Sequence, residues 1–341
     1  MTSLLLRLSG EHPQLPKKEA VHLFRAYDPE VEYSELPGRR LVVETDLDSE
    51  AAVELCLRLA MTTAASEVLC EFSSPQDLDL PIGKLAAGAT FAVRRDPTVD
   101  ADQELESEVG AALLDLTESS GINLKVDLEC PDNLYLISDT EDGYLLSLSL
   151  KKPSRSRFRR RSDERPFKKP ISLDPLLARA MVNMSGVKPG ERVLDPFCGT
   201  GNILVEAGLI GASIFGIDSD FEIVRGALEN LNRLQQGFPH LVRGDALRAN
   251  SILDCSFQHI VTDPPYGRAS PATTDTTKLI RGFVSIAPRI LAPWGSICIT
   301  CPSTLDLTGD LSEAGLRVDD FVYQRVHRSL GRHLYLATRP G

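Results

Sequence analysis

The sequence predicts an α/β fold in which a parallel sheet fills the C-terminal half and a smaller α+β region precedes it. A short apolar segment, a glycine turn and a helical segment follow one another over residues 191–207, an order typical of nucleotide-binding α/β proteins. Four aspartates, at positions 195, 218, 245 and 263, follow four successive apolar segments. Because the carboxyl ends of parallel strands share one edge of a sheet, we expect these acids to line that edge.

The first 60 residues predict a small α+β unit. We expect strands at 3–8 and 40–44, a helix at 17–27, and a second helix from 51 to about 61 that Asp48 or Ser49 caps.

The next 90 residues continue the α+β pattern. We expect a helix at 104–117, where apolar residues recur at helical spacing. The predicted strands are 91–95, 124–128, 134–138 and 144–149.

The C-terminal half predicts alternating strands and helices. After the segment at 191–207 we expect helices at 222–233 and 277–291. The predicted strands are 212–218, 241–246, 260–262 and 295–300, followed by two closing strands at 320–323 and 332–337.

Length and composition bound the class of protein. The chain has 341 residues, 42% of them hydrophobic, and a net charge of −11, which suits two or three folded domains rather than disorder. No apolar run approaches the roughly 18–20 residues of a membrane span, and we find no secretion signal. We therefore expect an intracellular, cytoplasmic protein.

The seven cysteines are scattered, which predicts free thiols rather than a disulfide framework. Cys298 and Cys301 form a C-x-x-C pair inside an apolar strand, but no second cysteine or histidine pair accompanies them. We expect buried thiols there and no metal site.

The turn after the strand at 191–194 has the chemistry of a cofactor cradle. Gly199 and Gly201 let the backbone approach a ligand closely, and the following helix presents free N–H groups. The turn is neither the dinucleotide fingerprint nor a P-loop, since no Gly-Lys-Ser/Thr follows. Asp195 replaces the phosphate-binding lysine, which favours a ligand with a cationic amine such as S-adenosylmethionine. For each acid taken alone, a helix N-cap is the alternative and the commoner role of an aspartate after a strand.

Asp263, Pro264, Pro265 and Tyr266 directly follow the segment at 260–262. The prolines lack N–H donors and fix φ, so the neighbouring carbonyls point in set directions. A carboxylate, a rigid carbonyl and an aromatic ring suit a planar –NH2 group, which offers two hydrogens to acceptors and a heterocycle for stacking. The alternative is a proline-rich turn with a solvated aspartate.

These motifs resemble those of class I S-adenosylmethionine-dependent methyltransferases that act on amino groups. The whole chain resembles the archaeal and eukaryotic tRNA guanosine-10 N2-methyltransferases, on the motifs at 195–201 and 263–266, the lead-in at 165–180 and the closing segment at 326–330. The resemblance implies a Rossmann-like methyltransferase domain with a seven-stranded sheet at 170–341. It also implies methylation of the guanosine N2 amine in tRNA. The Asp-Pro-Pro-Tyr motif alone does not exclude RNA guanine at other positions, DNA adenine or protein glutamine.

The N-terminal half resembles a THUMP-like RNA-binding domain at 61–150 preceded by a ferredoxin-like segment at 1–60. Residues 1–150 are nevertheless acidic, with 29 Asp/Glu against 11 Lys/Arg. Residues 151–169 carry ten Lys/Arg against two Asp/Glu, and we interpret them as an exposed basic linker without a buried element. Either its arginines contact RNA phosphates or the segment is a solvated linker or localisation tag; we favour phosphate contact. These arginines are Arg155, Arg157, Arg159, Arg160 and Arg161.

The resemblance and the strand order together imply the remaining site residues. We assign Asp195 to the methionine amine, Asp218 to the ribose and Asp245 to the adenine. We assign Asp263, Pro264, Pro265 and Tyr266 to catalysis. The full cofactor set is Phe167, Asp195, Pro196, Phe197, Gly199, Thr200, Gly201, Asp218, Ser219, Gly244, Asp245, Ala246 and Asp263.

The partners follow from the same resemblance. The substrate is tRNA, and we expect neither a membrane nor a metal. The eukaryotic relatives work with a small activator subunit and the archaeal kind stand alone, so we favour a monomer while both remain open.

Two further features of the C-terminal half have two interpretations each. His327 and Arg328 either approach the substrate backbone or are surface groups. The segment 267–274 is either a lid or a plain surface loop. An RNA-binding protein with an inactive methyltransferase fold is the alternative from another class.

Overall fold

The computed structural model describes residues 1–80, 89–96, 102–150, 155–169, 172–233, 239–265, 276–327 and 330–341. Within these ranges the strands are β1 (Thr2–Leu8), β2 (Glu32–Leu36), β3 (Arg40–Thr45), β4 (Thr62–Phe72), β5 (Thr90–Arg95), β6 (Lys125–Val126), β7 (Asn133–Asp139), β8 (Tyr144–Ser149), β9 (Arg192–Asp195), β10 (Ser213–Asp218), β11 (His240–Arg243), β12 (Phe257–Thr262), β13 (Leu291–Pro302), β14 (Arg317–His327) and β15 (Leu330–Thr338).

The helices of the same ranges are α1 (Leu15–Tyr27), α2 (Ser49–Arg58), α3 (Gln103–Ser119), α4 (Ser156–Asp163), α5 (Pro175–Met184), α6 (Asn202–Gly208), α7 (Phe221–Arg233), α8 (Ala249–Ile252), α9 (Thr276–Ile290) and α10 (Thr308–Glu313). None of the described helices combines the length and the apolar character that crossing a bilayer requires.

The chain divides into two compact units. The N-terminal unit holds residues 1–11, 28–58 and 62–154, and the C-terminal unit holds residues 12–27, 59–61 and 155–341. The strands of the N-terminal unit form one sheet in the order β2-β3-β1-β4-β8-β7-β5-β6. Because this sheet is continuous across residue 60, the predicted ferredoxin-like and THUMP-like parts share it, and their separate identity stays a prediction.

The N-terminal unit contains a strand that we did not predict. β4 lies at the centre of the sheet and pairs antiparallel with β1 on one side and β8 on the other. Helix α3 begins where Asp102 caps it by accepting the N–H of Leu105. Val109 and Leu113 of this helix are fully buried and join Phe91 and Tyr135 of the sheet in one core.

The C-terminal unit contains the predicted seven-stranded Rossmann-like sheet, which is confirmed. Its strand order is β11-β10-β9-β12-β13-β15-β14. The first five strands pair in parallel, and β15 runs antiparallel to both of its neighbours. Strands β9, β12 and β13 therefore lie side by side at the middle of the sheet, with their carboxyl ends on the same edge.

Helix α1 belongs to the C-terminal unit although its sequence lies near the start of the chain. Its Glu19 is fully buried. The carboxylate accepts Nδ2 of Asn183, from α5, at 2.7 Å and the backbone N–H of Ala60 at 2.8 Å. Burying a carboxylate is costly unless it is hydrogen-bonded, so these bonds fix α1 and the segment 59–61 against α5.

A second group of polar contacts joins α1 to β14. Asp320 accepts Nε2 of His22 at 2.7 Å and also bonds Nζ of Lys18. Burial alone would raise the pKa of Asp320, but these two partners lower it to about 2.

The interpretation of 151–169 as a linker without a buried element is wrong for its described part. Residues 156–163 form helix α4, and Phe158 is only 1% exposed in the core of the C-terminal unit. Phe158 is the single apolar residue of the helix, so no apolar period signalled it. Arg157 stacks its guanidinium over the Phe158 ring at 4.9 Å.

Candidate active site

The carboxyl edge of the seven-stranded sheet gathers the predicted acids. Asp195 is the last residue of β9 and Asp218 the last of β10. Asp263 directly follows β12 and Asp245 lies two residues beyond β11. Since β11, β10, β9 and β12 are consecutive neighbours, the expectation that the four acids line one edge is confirmed.

Asp195 is the most deeply buried of these acids, with 2% exposure. Its Oδ1 accepts the hydroxyl of Thr262 at 2.7 Å and the backbone N–H of Phe197 at 3.1 Å. Burial raises the pKa of Asp195 to about 7 in spite of these bonds, and the charges of Asp263 and Asp218 add to the rise.

Asp218 organises the glycine turn. Its Oδ2 accepts the N–H of Gly199 at 3.1 Å and its backbone carbonyl accepts the N–H of Gly244 at 2.9 Å, so the loops after β9 and β11 are both anchored at the end of β10. Burial raises the pKa of Asp218. The predicted residue Ser219 is exposed beside it.

Asp245 is exposed and caps a short turn of 3₁₀-helix, accepting the N–H of Leu247 at 2.9 Å. One carboxylate oxygen of Asp245 therefore has the N-cap role that was the alternative to ligand binding. Ala246, which begins that turn, is 5% exposed.

The glycine turn itself has the conformation that its sequence demands. Gly199 and Gly201 have φ values of 50° and 84°, the left-handed region that glycine adopts without strain. A Cβ at Gly199 would meet only the carbonyl oxygen of Phe197, at 3.9 Å, so this side of the turn can accept a ligand. Pro196 is buried, and the Phe197 ring packs edge-on against Phe283 with centroids 5.5 Å apart.

Phe167 is held next to this turn by helix α7. Asn230, which is fully buried, accepts the N–H of Phe167 at 3.0 Å and donates Nδ2 to the carbonyls of Phe167 and Thr200, both at 2.9 Å. One turn earlier, a Cβ on Gly226 would lie 2.1 Å from the Phe167 ring. Gly226 and Asn230 therefore form a seat that fixes Phe167 relative to Thr200.

The tetrapeptide at 263–266, which the sequence predicts to be catalytic, begins with a carboxylate held by two further strands. Thr300 of β13 donates its hydroxyl to Oδ1 of Asp263, and Nη1 of Arg332, from β15, lies 3.8 Å from the same oxygen. Pro264 is buried and Pro265 exposed. Tyr266 lies outside the described residues, as do Arg328 and the loop at 267–274.

The three acids nearest the glycine turn fit a cationic ligand. The charges of Asp218 and Asp263 add to the rise in the pKa of Asp195 that burial causes, and a nearby positive charge would favour the ionised form of Asp195. S-adenosylmethionine carries a sulfonium and an ammonium group, so the donor set and the open glycine turn suit it. Among the described residues no group of His, Cys, Asp and Glu is arranged to hold a metal ion.

Two of the predicted RNA-binding arginines are described. Arg155 donates Nε to the carbonyl of Ala60 at 2.9 Å, and Arg157 stacks on Phe158 as given above. Residues 159–161 continue helix α4, while their side chains lie outside the described part of the chain.

Sequence reasoning missed five residues that support the site: Thr262, Thr300, Arg332, Asn230 and Gly226. Thr262 directly precedes the tetrapeptide at 263–266, and a polar residue at the end of an apolar strand was a usable signal. Asn230 interrupts the buried face of α7, which was another. Thr300 and Arg332 reach Asp263 only through the register of β13 and β15, which no local pattern encodes.

Comparisons with known proteins agree that the chain is similar to methyltransferases. Residues 162–333 match the model of the RMKL-like methyltransferase domain family. The chain is 37% identical to the tRNA (guanine(10)-N2)-dimethyltransferase of Methanothermobacter thermautotrophicus over 98% of this chain and 99% of that protein. It is 33% identical to the enzyme of the same name from Pyrococcus abyssi over 72% of this chain and 73% of the relative. The crystal structure of TrmN from Thermus thermophilus, at 21% identity, shares the fold with a TM-score of 0.51 over 99% of both chains.

Proposed function

The chain belongs to the family of tRNA (guanine(10)-N2)-methyltransferases, and from that premise we propose that it methylates the N2 amine of guanosine 10 in tRNA. S-adenosylmethionine is the methyl donor, as in the methyltransferase domain family that the chain matches. A tRNA substrate also supports action in the cytoplasm. From the resemblance to the archaeal kind, we also propose that the chain acts as a monomer without an activator subunit.

One observation carries the chemistry: Asp263 stands at the cofactor edge of the sheet with its carboxylate fixed by Thr300. The guanine N2 amine is a weak nucleophile because its lone pair is delocalised into the ring. We assign the Asp263 carboxylate and the Pro264 carbonyl to the two amine hydrogens, which pulls the nitrogen towards tetrahedral geometry and directs its lone pair. The ring of Tyr266 stacks on the base, and Pro265 keeps the turn rigid.

Asp263 is also the residue that we assign to accepting the proton released by the reaction. S-adenosylmethionine supplies an electrophilic methyl group on a sulfonium sulfur. As the nitrogen–carbon bond forms, the bond between the methyl carbon and the sulfonium sulfur breaks, and S-adenosylhomocysteine leaves as a neutral thioether. The amine then carries one proton too many, and a carboxylate oxygen of Asp263, or a water beyond it, accepts that proton. Because the methyl group is already activated, positioning by the protein supplies most of the acceleration.

Recognition of RNA falls to the basic segment and the N-terminal sheet. We assign phosphate contacts to Arg155, Arg157 and residues 159–161 of helix α4, and we assign the THUMP-like region to tRNA docking. Such contacts make affinity fall with salt, because each releases about one counterion. A paired guanine hides its amine, so the target base must leave the stack.

The function is tested with the purified full chain, S-adenosylmethionine with a labelled methyl group, and separate pools of tRNA and rRNA. We expect label in tRNA, and N2-methyl- or N2,N2-dimethylguanosine at position 10 when the digested RNA is analysed by mass spectrometry. A tRNA transcript with adenosine at position 10 is the matched control and should take up no label there. Label confined to rRNA, or to another tRNA position, would overturn the assignment.

The role of Asp263 is tested by Asp263→Ala. We expect the methylation rate to fall about 100- to 10,000-fold, while cofactor binding measured by calorimetry stays within a few fold. Asp254→Ala is the control, because Asp254 is exposed and lies before β12, at the opposite end of that strand. Near-full activity of Asp263→Ala would remove this residue from the mechanism.

A further inference from the structure

Two buried threonines repeat the same contact along the catalytic edge. Thr262, at the end of β12, donates to Asp195 at the end of the neighbouring strand β9. Thr300, in β13, donates to Asp263, which follows the neighbouring strand β12. Both threonines are fully buried. In each pair the hydroxyl comes from the next strand along the sheet, so the two contacts form two steps of one series.

Hydroxyl groups at these positions are not explained by packing. Valine has nearly the same shape and suits a buried strand equally well, whereas a buried hydroxyl costs free energy unless it is hydrogen-bonded. In both pairs the hydroxyl meets Oδ1 of the carboxylate. A hydrogen bond to Oδ1 restrains the rotation of the carboxylate plane, and the direction of Oδ2 is restrained with it.

We propose that Thr262 and Thr300 are positioning residues with separate tasks: Thr262 orients Asp195 for the cofactor, and Thr300 orients Asp263 for the substrate amine. Neither threonine touches the reacting atoms, and the inference rests on the proposed function. Arg332 acts with Thr300, since its Nη1 faces the same oxygen of Asp263 at 3.8 Å. The carboxylate for the cofactor and the carboxylate for the substrate amine are thus each oriented by a threonine from the adjacent strand.

The two tasks have different pH signatures. The hydrogen bond from Thr262 opposes the rise in the pKa of Asp195 that burial causes, so its loss raises that pKa further. The ionisable and charged groups facing Asp195 are Asp218 and Asp263 on the neighbouring strand ends and the Cys198 thiol in the glycine turn. None of these is removed by a change at Thr262, so a shift in cofactor binding with pH reports Asp195.

The experiment compares Thr262→Val and Thr300→Val with their serine counterparts in the full chain. For Thr300→Val we expect kcat to fall about 10- to 100-fold, the range set by a hydrogen bond to a charged group, with the cofactor Kd within twofold of wild type. For Thr262→Val we expect the cofactor Kd to rise about tenfold, the midpoint of its pH dependence to move to higher pH, and kcat at saturating cofactor to change little. The serine variants keep the hydroxyl and should restore both values.

Thr338→Val is the matched control. Thr338 makes a threonine–aspartate contact as well, to Asp319, but this contact is exposed and lies away from the carboxyl edge, where β15 pairs with Ser296 of β13. Its loss should change neither kcat nor the cofactor Kd. Thermal unfolding of all variants checks that the fold is retained.

Wild-type kcat in Thr300→Val, or equal changes in cofactor Kd for both valine variants, would overturn the proposal. A failure of the proposed function has a different outcome. In that case the wild-type chain methylates no tRNA guanosine, while the contrast in cofactor affinity between Thr262→Val and Thr300→Val can still be measured.

Discussion

The two ends of strands β9 and β12 treat acidic side chains in opposite ways. At the amino-terminal end, Glu191 accepts Nε2 of His259 at 2.8 Å and the backbone N–H of Lys188 at 2.7 Å. Burial alone would raise the pKa of Glu191, but these partners hold it below its ordinary value. At the carboxyl end, burial and neighbouring acids raise the pKa of Asp195 to about 7. The acid at the amino-terminal end is stabilised in its ionised form by partners within the fold, whereas ionisation of the acid at the carboxyl end would be favoured by a cationic ligand.

This contrast shows how one sheet can be both stable and functional. Functional sites commonly keep charges that would be more stable elsewhere, because the ligand supplies the missing stabilisation. The amino-terminal end shows the alternative, where Ser296 bonds Nδ1 of His259 at 2.9 Å and the carbonyl of Ser185 at 3.0 Å. Variants at the two ends should therefore separate ligand binding from stability.

The largest effect is expected from Asp195→Asn, which removes the charge at the ligand end. We expect the cofactor Kd to rise about 100-fold, since the change removes a charge-assisted contact. Because the folded pKa of Asp195 lies above that of the unfolded chain, the wild-type free energy of unfolding falls as pH rises from about 4 to about 7, by up to about 4 kcal/mol. The variant lacks this fall.

The measurement is chemical denaturation without cofactor at pH 5 and pH 8, together with calorimetric titration of the cofactor. The difference between wild type and Asp195→Asn isolates the one carboxyl group. An unchanged pH dependence of stability in the variant would show that Asp195 is ionised without penalty, and the contrast between the ends would then be lost.

A smaller effect is expected from a matched pair of buried asparagines. Asn230→Ala releases Phe167 and Thr200 at the ligand end, and we expect the cofactor Kd to rise about tenfold because two backbone segments lose their shared anchor. Asn183→Ala removes the bond to Glu19 in α1, and we expect lower stability with an unchanged cofactor Kd. Calorimetric titration and thermal unfolding of both variants give the comparison, and equal cofactor affinities would contradict it.

The smallest effect is expected at the amino-terminal end. Glu191→Gln should lower the free energy of unfolding at pH 7 by about 1–2 kcal/mol, the range for a hydrogen bond to a partly exposed charged group. Because the folded pKa of Glu191 is lowered, this stabilisation exists above the ordinary glutamate range and disappears as pH falls through the lowered pKa. Denaturation at several pH values tests this. A weakened cofactor affinity in this variant would contradict the separation of ligand binding from stability between the two ends.

The sequence was sufficient to predict the acids, the glycine turn and the parallel strands that carry them, because each is written in consecutive residues. An apolar strand followed by an aspartate is a local pattern, and the parallel fold then places such aspartates together. The contacts that hold Asp195 and Asp263 were not predictable in this way. They depend on the register between strands far apart in sequence, such as β12 and β13.

Other omissions have the same cause. β4 contains two alanines and two glutamates, which are weak strand signals, and it is a strand because β1 and β8 pair with it on both sides. Phe158 stands alone among arginines, so only its tertiary contacts show that it is buried. Helix α1 was predicted as a helix, but nothing in its sequence indicated which unit it joins.

The placement of helix α1 has a consequence for biosynthesis. Lys18 and Asp320 form a contact across 302 positions of the chain, so helix α1 cannot take its final place until β14, far later in the sequence, has been made. Contacts of such long sequence separation slow folding, because the intervening loop must close before they form. The packing of α1 against β14 is therefore a late event in the folding of the C-terminal unit.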